Sequence, residues 1–499
     1  SKAQTVMPMN LPLSLVSKWL LAEPSLEAKI KGLTENPGQE DLSVERVHTD
    51  TRTLQAGDLF VALKGENFDA NDFLKEAKAK GASAAVCARN LDALSWCGVE
   101  VNDSGRALGV IAAQWRRQFA VDVIAVTGSN GKTTVTQMLA SILNAWQGSK
   151  SLATEGNFNN AVGVPMTLLR MRAQHQCAVL ELGMNHPGEI AELAQWVQPK
   201  VALVNNAQRE HQEFMGSVHA VAQENAQVFK ALGSGGIAVF PMDDPHTAMW
   251  QDLSQGHRIC RFGENPNAEV VLLSSQWLGG AWQLKVQLAT EVAQFVVHLP
   301  GLHNVHNALA SMACAHSLGV PTEKIQEGLQ RFQAVKGRSH FKTLHWSIFD
   351  PSLGHDVERS IGLVDDTYNA NPDSVIAAID LLVQMQGPTV LVLGDMGEVG
   401  EQGVMFHQEV GRYARQAGID HLLTLGELSL HTVLAFEEEK SPAQSAKHFE
   451  TSDLLIEDLK GLLFGANSVL VKGSRFMKME RVVQALVREK KEIEDITCS

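Results

Sequence analysis

The apolar residues between positions 121 and 148 follow two different patterns, one after the other. The first is an almost unbroken apolar run from 121 to 126, which is typical of a buried strand. The second is a helical repeat formed by Val135, Met138, Leu139, Ile142, Leu143 and Trp146. This spacing places the six side chains on one helix face, and Gly148 is a typical helix stop. The pattern therefore predicts a strand, a turn and a helix in direct succession.

Shorter apolar runs elsewhere alternate with stretches of helical spacing. The runs lie at 58–63, 82–87, 177–182, 201–204, 237–240, 270–273, 363–366, 389–394, 421–425 and 468–472, and helices are predicted at 73–80, 107–119 and 308–318. Such alternation predicts an α/β fold. We expect three domains: a small N-terminal α/β domain at 1–104, a central doubly wound and mostly parallel sheet at 105–331, and a C-terminal Rossmann-like domain at 332–499.

The composition fits this organisation and excludes some classes of function. The chain has 499 residues, enough for about three domains, and its apolar content of 44% is ordinary. The net charge of −14 argues against nucleic-acid binding as the main function. No apolar run approaches the roughly 20 residues of a membrane span, and 11–21 is too polar for a signal peptide. The six cysteines form no C-x-x-C pair, so we expect buried thiols and a cytoplasmic protein.

The turn after the first apolar run carries the chemistry of an anion site. Its sequence is Thr127-Gly128-Ser129-Asn130-Gly131-Lys132-Thr133-Thr134. Backbone N–H groups and the helix dipole favour a phosphate at such a turn, with the lysine on the outer phosphates and the first threonine on Mg²⁺. Val126 stands where the common P-loop has its first glycine, so a glycine-rich turn with a chance lysine is the alternative. We predict a nucleoside triphosphate site.

Two residues near predicted strand ends are candidates for holding the metal ion of that nucleotide. Glu181 follows the apolar run 177–180, and His211 comes soon after the run 201–204. Carboxylate oxygens are ligands that Mg²⁺ prefers. A strand-end carboxylate in a salt bridge and a structural histidine are the simpler alternatives.

Amide-rich and charged segments are candidates for binding other ligands. The segments are 154–160, 301–307 before the predicted helix at 308–318, 336–338, 365–372 and 472–475. Asparagine amides suit a sugar, a peptide or an adenine edge, but asparagine is also a common turn and cap residue, so Asn304 and Asn307 have helix capping as their alternative. Arg338 suits a transferring phosphoryl group or is a surface residue of a linker.

Taken together, these segments resemble the Mur ligases, the ATP-dependent amide-forming enzymes of peptidoglycan precursor synthesis. The loop TGSNGKTT is that family's variant P-loop, which accounts for Val126. The other matching motifs are DTR at 50–52, GDLF at 57–60, EGNFNN at 155–160, ELGMNHPGEI at 181–190, DDTYNANP at 365–372, GDMGE at 394–398 and KGSR at 472–475. The resemblance spans about residues 43 to 482 and is closest to members that add D-alanyl-D-alanine to a UDP-N-acetylmuramoyl-tripeptide.

The resemblance implies a role for each domain and for individual residues. The N-terminal domain would hold the UDP-sugar, the central domain MgATP, and the C-terminal domain would close on the nucleotide and bind the dipeptide. The implied catalytic residues are Lys132, Glu181, His211 and Arg338, and the implied Mg²⁺ ligands are Thr133, Glu181 and His211. The implied ATP contacts are 127–134, Asn304, Asn307, Arg338 and Asp366. The implied substrate contacts are Thr51, Arg52, Lys64, Thr154, Asn157, Asn159, Asn160, Asn369, Asn371, Ser474 and Arg475.

The chain departs from the family pattern at two places. Many Mur ligases carry a carbamylated lysine that helps to hold Mg²⁺, and Asn225 stands at that position. An asparagine cannot be carbamylated, so the resemblance does not imply a second metal site here, and Glu224 or a water is the open substitute. Ala70 and Asn71 stand where the family often has Gly-His.

Three other functions remain open at this point. Another Mur ligase step and a folate polyglutamate ligase share the P-loop, although the DTR and GDLF motifs disfavour the folate enzymes. A nucleotide-driven switch would hydrolyse ATP without ligation. The third residue of the peptide, diaminopimelate or lysine, is not encoded in these motifs. We expect a monomer that acts on small molecules, with no nucleic acid and no membrane span.

Overall fold

Three β-sheets of five, nine and six strands follow one another along the chain. The computed structural model describes residues 7–32, 41–278, 280–350 and 352–487, and within these ranges the strands form these sheets and one two-stranded pair. The α/β prediction is confirmed. None of the helices in this part of the chain combines the length and apolar character that a bilayer crossing requires. The segment 488–495, whose many charged residues predict a solvated helix end, lies outside the described residues.

The N-terminal sheet is small and its central strands are buried on both faces. Its elements are β1 (Leu11–Pro12), α1 (Leu13–Leu21), β2 (Lys29–Lys31), β3 (Ser43–Val44), β4 (Arg46–His48), β5 (Asp58–Val61), α2 (Leu74–Ala79), β6 (Ala84–Cys87) and β7 (Gly98–Glu100). The order is β2-β7-β6-β5-β4, and only β2 runs antiparallel to its neighbour. Strand β1 pairs with β3 beside this sheet. Such buried parallel strands account for the continuous apolar runs at 58–63 and 82–87.

The central sheet carries the predicted phosphate-binding turn at the end of an interior strand, the third from one edge. Its elements are α3 (Ser104–Arg116), β8 (Asp122–Thr127), α4 (Lys132–Gln147), β9 (Ser151–Ala153), α5 (Gly163–Leu168), β10 (Cys177–Glu181), α6 (Glu189–Val197), β11 (Val201–Val204), α7 (Gln212–Met215), α8 (Val218–Asn225), β12 (Ile237–Pro241), α9 (Thr247–Leu253), β13 (Arg258–Gly263), β14 (Val270–Leu278), β15 (Ala281–Leu288), β16 (Glu291–Val297), α10 (Leu302–Leu318) and α11 (Thr322–Arg331). The order is β16-β15-β14-β13-β12-β11-β8-β10-β9, parallel from β9 to β14.

The position of β8 explains why ligand-binding residues gather after it. Strands β10 and β11 flank β8, with Glu181 opposite Val126 and Val204 opposite Thr127. The carboxyl ends of three parallel strands therefore meet at one edge, which is where open α/β sheets bind ligands. Helix α4 buries Val135, Met138, Leu139, Ile142 and Leu143 and ends at Gly148, as the apolar repeat predicts.

The C-terminal sheet has a second set of strand ends. Its elements are β17 (His340–Asp350), β18 (His355–Asp366), α12 (Pro372–Val383), β19 (Thr389–Gly394), α13 (Gly403–Ala417), β20 (His421–Leu425), α14 (Ser429–Glu437), β21 (Ser445–Phe449), α15 (Ser452–Leu462) and β22 (Ser468–Lys472). The order is β17-β18-β22-β19-β20-β21, and only β17 is antiparallel. The final strand β22 thus lies between β18 and β19.

The structure corrects the predicted start of helix α10. The helix begins at Leu302 rather than at 308, and its N-cap is Gly301, so neither Asn304 nor Asn307 caps it. Asparagine is a poor helix former, so the sequence pattern did not indicate that residues 302–307 belong to the helix. Both side chains are buried and hydrogen-bonded within the first turns, so packing has overridden propensity. Helix α3 is likewise shifted, to Ser104–Arg116 from the predicted 107–119.

Candidate active site

A cavity of about 1190 Å³ lies where the strand ends of the central and C-terminal sheets face each other. The sequence candidates that line it are Ser129, Asn130, Gly131, Lys132, Thr133, Thr134, Asn157, Asn159, Asn160, Glu181, His211, Asn304, Asn307, Arg338, Asp366 and Asn369. These residues come from strand ends, loops and the first turns of helices between positions 129 and 369. The fold therefore collects most of the predicted nucleotide contacts into one polar space.

The phosphate-binding turn is held in shape by asparagine side chains. The Asn206 Oδ1 atom accepts hydrogen bonds from the backbone N–H groups of Ser129 at 3.1 Å and Asn130 at 2.9 Å. Gly131 has φ 82°, and a Cβ there would lie 2.2 Å from the Asn307 Oδ1 atom. Only glycine fits this turn, because any side chain would be strained and would collide with helix α10.

Lys132, the first residue of α4, is already paired inside the protein. Its ammonium donates to the backbone oxygens of Gly128 at 2.7 Å and Ser129 at 3.0 Å, and to Glu210 Oε1 at 2.9 Å. The side chains of Lys132 and Glu210 are 13% and 7% exposed. Glu210 follows strand β11, so the β11 end contributes the counter-charge of the P-loop lysine.

Thr133 and Glu181 form the part of the site that fits a metal ion. The Thr133 hydroxyl donates to Glu181 Oε1 at 3.1 Å, and the Asn159 amide donates to the same oxygen at 2.9 Å. Glu181 is buried, and its second carboxylate oxygen has no hydrogen-bond partner among the described residues. A buried carboxylate oxygen without a partner is costly unless a cation or water completes it. The geometry therefore suits a hard cation beside Thr133, as the sequence predicts.

His211 lies between two carboxylates from different sheets. Its Nε2 atom is 3.4 Å from Glu210 Oε1, and its Nδ1 atom contacts Glu398 of the C-terminal sheet. Burial alone would lower the pKa of His211, but hydrogen bonds to Glu210 and Glu398 outweigh burial and raise it to about 9. Both ring nitrogens of His211 thus face carboxylate oxygens rather than an open metal position. Its role as a Mg²⁺ ligand stays a prediction, and no group of three or more acidic, histidine or cysteine side chains in the described ranges is arranged around a metal position.

The asparagines of helix α10 line the opposite wall. Asn307 donates to Asn304 Oδ1 at 3.1 Å and accepts from the Asn205 amide at 3.0 Å, while Asn304 donates to the Pro300 backbone oxygen at 2.8 Å. Beside them, burial lowers the pKa of His303, whose ring lies 3.2 Å from the Ser339 hydroxyl. This wall therefore presents neutral polar groups to a ligand.

The C-terminal sheet contributes an arginine and a buried ion pair to the cavity. The Arg338 guanidinium lies 4.1 Å above the ring of Tyr368, an arrangement that favours a cation. Lys472 donates to Asp366 at 2.7 Å, and the Ser339 backbone N–H donates to the other oxygen of Asp366 at 2.9 Å. Burial would raise the pKa of Asp366, but the ammonium of Lys472 keeps it below its usual value.

Three sequence profiles of one protein family match the chain. The Mur ligase family catalytic domain matches residues 43–116, the Mur ligase middle domain 126–315, and the Mur ligase glutamate ligase domain 355–475. A UDP-N-acetylmuramoyl-tripeptide–D-alanyl-D-alanine ligase of Escherichia coli (strain K12) is 39% identical over 449 residues, which cover 89% of this chain and 94% of the relative. The chain belongs to the Mur ligase family.

Other Mur ligases agree with this assignment in sequence and in structure. The UDP-N-acetylmuramoyl-tripeptide–D-alanyl-D-alanine ligase of Bacillus subtilis (strain 168) is 30% identical, with 92% of this chain and 96% of the relative covered. A crystal structure of MurF from Acinetobacter baumannii superposes with a TM-score of 0.84 at 32% identity, covering 97% of this chain and all of that one. MurF from Thermotoga maritima, in complex with ADP, gives a TM-score of 0.78 at 25% identity, covering 91% and 100%.

Several residues that the Mur ligase resemblance implies as ligand contacts lie outside the cavity lining. Thr51, Arg52 and Lys64 lie in the N-terminal domain, where the Arg52 side chain is 85% exposed and pairs with Asp50. Thr154 receives a hydrogen bond from the Glu181 backbone and lines a separate cavity of about 440 Å³. The other residues outside the lining are Thr127, Gly128, Asn371, Ser474 and Arg475. Their roles in binding ligand stay predictions.

Those outlying residues of the C-terminal sheet connect to the cavity through neighbours. Asn371 is the N-cap of α12, and its amide donates to the Asn130 side chain of the P-loop at 2.8 Å. Ser474 accepts from the Gly397 N–H at 2.7 Å and donates to the Ala370 backbone oxygen at 3.1 Å. Arg475 pairs with Glu480 at 2.8 Å. Asn371 therefore links the C-terminal sheet directly to the phosphate-binding turn.

Asn225 does not fit the second metal site of the family. The side chain is fully buried, and its Oδ1 atom accepts a hydrogen bond from the Thr127 hydroxyl at 3.0 Å. Glu224, the proposed substitute, accepts from the backbone N–H groups of Gly188 at 2.9 Å and Ile190 at 3.2 Å at the start of α6. The carboxylate of Glu224 is thus committed to a helix end, and no second metal site follows from these residues.

The sequence analysis missed four residues that shape this Mur ligase site. Asn205 and Asn206 hold the P-loop, Glu210 pairs with Lys132, and Tyr368 supports Arg338. The first three follow strand β11, so the rule that ligands lie at strand ends would have found them. Tyr368 lies inside a motif that was already singled out, and only its contact with Arg338 separates it from its neighbours.

Proposed function

We propose that this protein joins D-alanyl-D-alanine to a UDP-N-acetylmuramoyl-tripeptide in an ATP-dependent ligation that yields a pentapeptide precursor of peptidoglycan. The observation that carries the proposal is the match, over nearly the full length of both chains, to relatives that bear the name of this reaction. The polar cavity with a P-loop lysine, a buried Glu181 and an arginine on the facing sheet supports phosphoryl transfer.

The first chemical step would activate a carboxylate of the tripeptide. One carboxylate oxygen attacks the γ-phosphorus of ATP, the bond from phosphorus to the bridging oxygen breaks, and ADP leaves. Negative charge shifts onto the bridging oxygen, and Lys132 with the backbone N–H groups of the loop lies where this charge is stabilised. The product is an acyl phosphate, which is a far better electrophile than a carboxylate.

The second step would form the amide bond. The free amine of D-alanyl-D-alanine attacks the carbonyl carbon of the acyl phosphate and forms a tetrahedral intermediate. The bond between that carbon and the phosphate oxygen then breaks, phosphate leaves with the electron pair, and the nitrogen gives up a proton. Water would destroy the acyl phosphate, so a cavity enclosed between two sheets protects the reaction.

The residues around Thr133 fit a magnesium ion. We propose that the Thr133 hydroxyl and the unpartnered oxygen of Glu181 hold it, with His211 as a third group once its contacts with Glu210 and Glu398 open. When bound, Mg²⁺ would neutralise charge on the β- and γ-phosphates. Glu181 would keep its other oxygen on Thr133 and Asn159, which fixes the carboxylate in place.

The remaining assignments extend the proposal to the other two domains. Arg338 would face the transferred phosphoryl group, with Tyr368 supporting its guanidinium, and Asp366 would stand near the nucleotide. Asn369, Asn371, Ser474 and Arg475 are the proposed dipeptide contacts, and Thr51, Arg52 and Lys64 the proposed UDP-sugar contacts. We also propose that the protein works as a monomer in the cytoplasm.

Phosphate release tests this proposal. The purified protein is mixed with MgATP and a UDP-N-acetylmuramoyl-tripeptide, with and without D-alanyl-D-alanine. Released phosphate is measured, and the masses of the products are determined by mass spectrometry. We expect release that requires both substrates, together with the mass of the UDP-linked pentapeptide. Phosphate release that needs neither substrate would refute the proposed acceptors but leave ATP hydrolysis established. Phosphate release that requires a single amino acid or a folate would refute them in the same way.

A further inference from the structure

Lys132 has no donor left for a nucleotide in this structure. An ammonium carries three N–H donors, and the three acceptors are the backbone oxygens of Gly128 and Ser129 and the carboxylate of Glu210. The two backbone oxygens belong to the loop itself and form its inner wall. Glu210 is the one acceptor of the three that carries a charge.

Glu210 resembles a phosphate in its chemistry and in its position. It offers a charged oxygen at 2.9 Å to Lys132, which is the bond that a nucleotide phosphate would make. Its other oxygen has no hydrogen-bond partner among the described residues, although the side chain is only 7% exposed. A carboxylate that is satisfied on one side only can leave its partner at a smaller cost than one that is held on both sides.

The backbone around Glu210 is fixed by contacts with helices α12 and α13 and with the loop after β19. The Arg209 backbone N–H donates to Asp373 Oδ2 at 2.7 Å, its side chain donates to Asp373 Oδ1 at 2.8 Å, and its guanidinium lies 5.3 Å from the centre of the Phe406 ring. The Glu213 N–H donates to the backbone oxygen of Glu398 at 3.2 Å. Glu210 therefore sits on a segment anchored at both ends, and its carboxylate, which Lys132 and the His211 Nε2 atom contact at 2.9 and 3.4 Å, is the group that has to move.

We propose that Glu210 occupies the place of a nucleotide phosphate on Lys132, and that nucleotide binding exchanges the Lys132–Glu210 ion pair for a Lys132–phosphate contact. Glu210 is then a positioning residue: it keeps the lysine extended along the loop while the site is empty and opposes nucleotide binding until it is displaced. The inference relies on the proposed function only for the use of ATP, and it holds whatever the acceptor substrates are.

Nucleotide binding to a charge-neutral variant tests the exchange. Glu210→Gln keeps the shape and one hydrogen bond to Lys132 but removes the competing charge. We expect calorimetry to show ATP and ADP bound about tenfold more tightly than by the unchanged protein, because a charge-assisted bond no longer has to be broken. Adenosine, which has no phosphate, should bind within about twofold of the unchanged protein. The titrations are run in EDTA and repeated with Mg²⁺, so that a metal effect is seen separately.

Two further variants separate charge competition from a general loosening of the site. Glu213→Gln makes the same change three residues away on an exposed side chain and should leave all three affinities unchanged. Glu210→Asp keeps the charge but shortens its reach, so its ATP affinity should rise by less than that of Glu210→Gln. If Glu210→Gln does not fold, the ATP affinity of Glu210→Asp tests the exchange in its place.

Three outcomes would overturn the exchange. They are unchanged or weaker ATP binding by Glu210→Gln, an equal gain for adenosine, and an ATP gain in Glu210→Asp as large as in the glutamine variant. None of these outcomes depends on ligation, so they leave the proposed acceptors untouched. In a ligation assay, the exchange predicts that KM for ATP falls in Glu210→Gln more than kcat changes.

Discussion

Two buried lysine–carboxylate pairs face the same cavity from opposite sheets, and they differ in how completely their carboxylates are bound. Lys132 and Glu210 belong to the central sheet, and Lys472 and Asp366 to the C-terminal sheet, with N···O distances of 2.9 and 2.7 Å. Asp366 has both oxygens engaged, by Lys472 and by the Ser339 backbone, whereas Glu210 has one oxygen without a partner. A lysine–carboxylate pair can thus be exchangeable in the central sheet and fixed in the C-terminal sheet.

The difference shows that an ion pair must be judged by its remaining partners. Lys472 also donates to the Asn369 backbone oxygen at 2.9 Å, so the pair fastens the ends of strands β18 and β22 to the loop that follows β18. Lys132 donates to two backbone oxygens of its own turn and to Glu210, whose other oxygen has no partner among the described residues. The two lysines should therefore respond in opposite ways to one substitution, with lost activity at one and lost stability at the other.

Lys132→Met gives the largest expected effect on activity. The change removes the cation that stabilises the transferred phosphoryl group, so kcat/KM for ATP should fall by about 10²–10³-fold or more. The free energy of unfolding should fall less than in Lys472→Met, because Glu210 keeps its contact with the imidazole of His211 at 3.4 Å. Phosphate release and urea unfolding of the same preparation measure both quantities, and turnover near the unchanged level would remove Lys132 from the mechanism.

Lys472→Met gives the largest expected effect on stability. It leaves Asp366 charged and buried without its ammonium, a change that costs about 3–5 kcal/mol in the free energy of unfolding. Urea denaturation followed by tryptophan fluorescence measures the loss. Adding Asp366→Asn to this variant should restore part of it, since the amide needs no counter-charge. A loss below about 1 kcal/mol would show that the Lys472–Asp366 pair is as exchangeable as the Lys132–Glu210 pair.

Lowering the pH should reduce the difference in the free energy of unfolding between the unchanged protein and Lys472→Met. The pKa of Asp366 in the folded protein lies below its usual 3.8, so its contribution to stability is complete above about pH 4 and is lost as the pH falls through the lower folded value. Protonated Asp366 gains nothing from Lys472. Unfolding curves for both proteins between pH 7 and pH 3 measure the difference, and a difference that stays constant down to pH 3 would contradict a charged pair.

Asn225→Ala gives the smallest expected effect on catalysis. The Asn225 oxygen is bound by Thr127 and the side chain is fully buried, so the Mg²⁺ concentration for half-maximal activity should stay within about twofold. Loss of a buried hydrogen bond should still cost about 1–3 kcal/mol of stability. The matched variant Glu181→Gln should raise the Mg²⁺ requirement about tenfold or more. A shift of that size in Asn225→Ala would give this asparagine a metal role.

The sequence predicted the fully buried parallel strands because their signal is local, whereas the shorter or partly exposed parallel strands β4, β7, β9, β13 and β21 were not predicted. The structure has strands at Val201–Val204, Thr389–Gly394, His421–Leu425 and Ser468–Lys472, as the apolar runs indicate. A strand buried on both faces must be apolar throughout, so few other interpretations compete. The antiparallel strands β15, β16 and β17 were not predicted. In β15 apolar and polar residues alternate, which is itself the pattern of a half-buried strand, but a search for continuous apolar runs does not detect it.

The site was predictable only where a motif fixes a residue. The Lys132, Thr133 and Glu181 predictions rest on motifs next to strands, and these side chains do meet in the cavity. Glu210 and Tyr368 act through contacts with residues 78 and 30 positions away along the chain. Such pairings depend on how the two sheets pack, which no local pattern encodes. For the same reason, the sequence alone did not separate the lining asparagine Asn369 from Asn371.

The place of β22 in its sheet sets the order in which this protein can be made. Residues 468–472 are the last strand of the described chain, yet they pair with β18 on one side and β19 on the other. While a ribosome is still synthesising the chain, β18 and β19 each present an unpaired edge with nothing between them. The Asp366–Lys472 pair and one wall of the cavity cannot form before Lys472 has left the ribosome. The half-made C-terminal domain is thus the stage most exposed to strand-edge aggregation and to proteases.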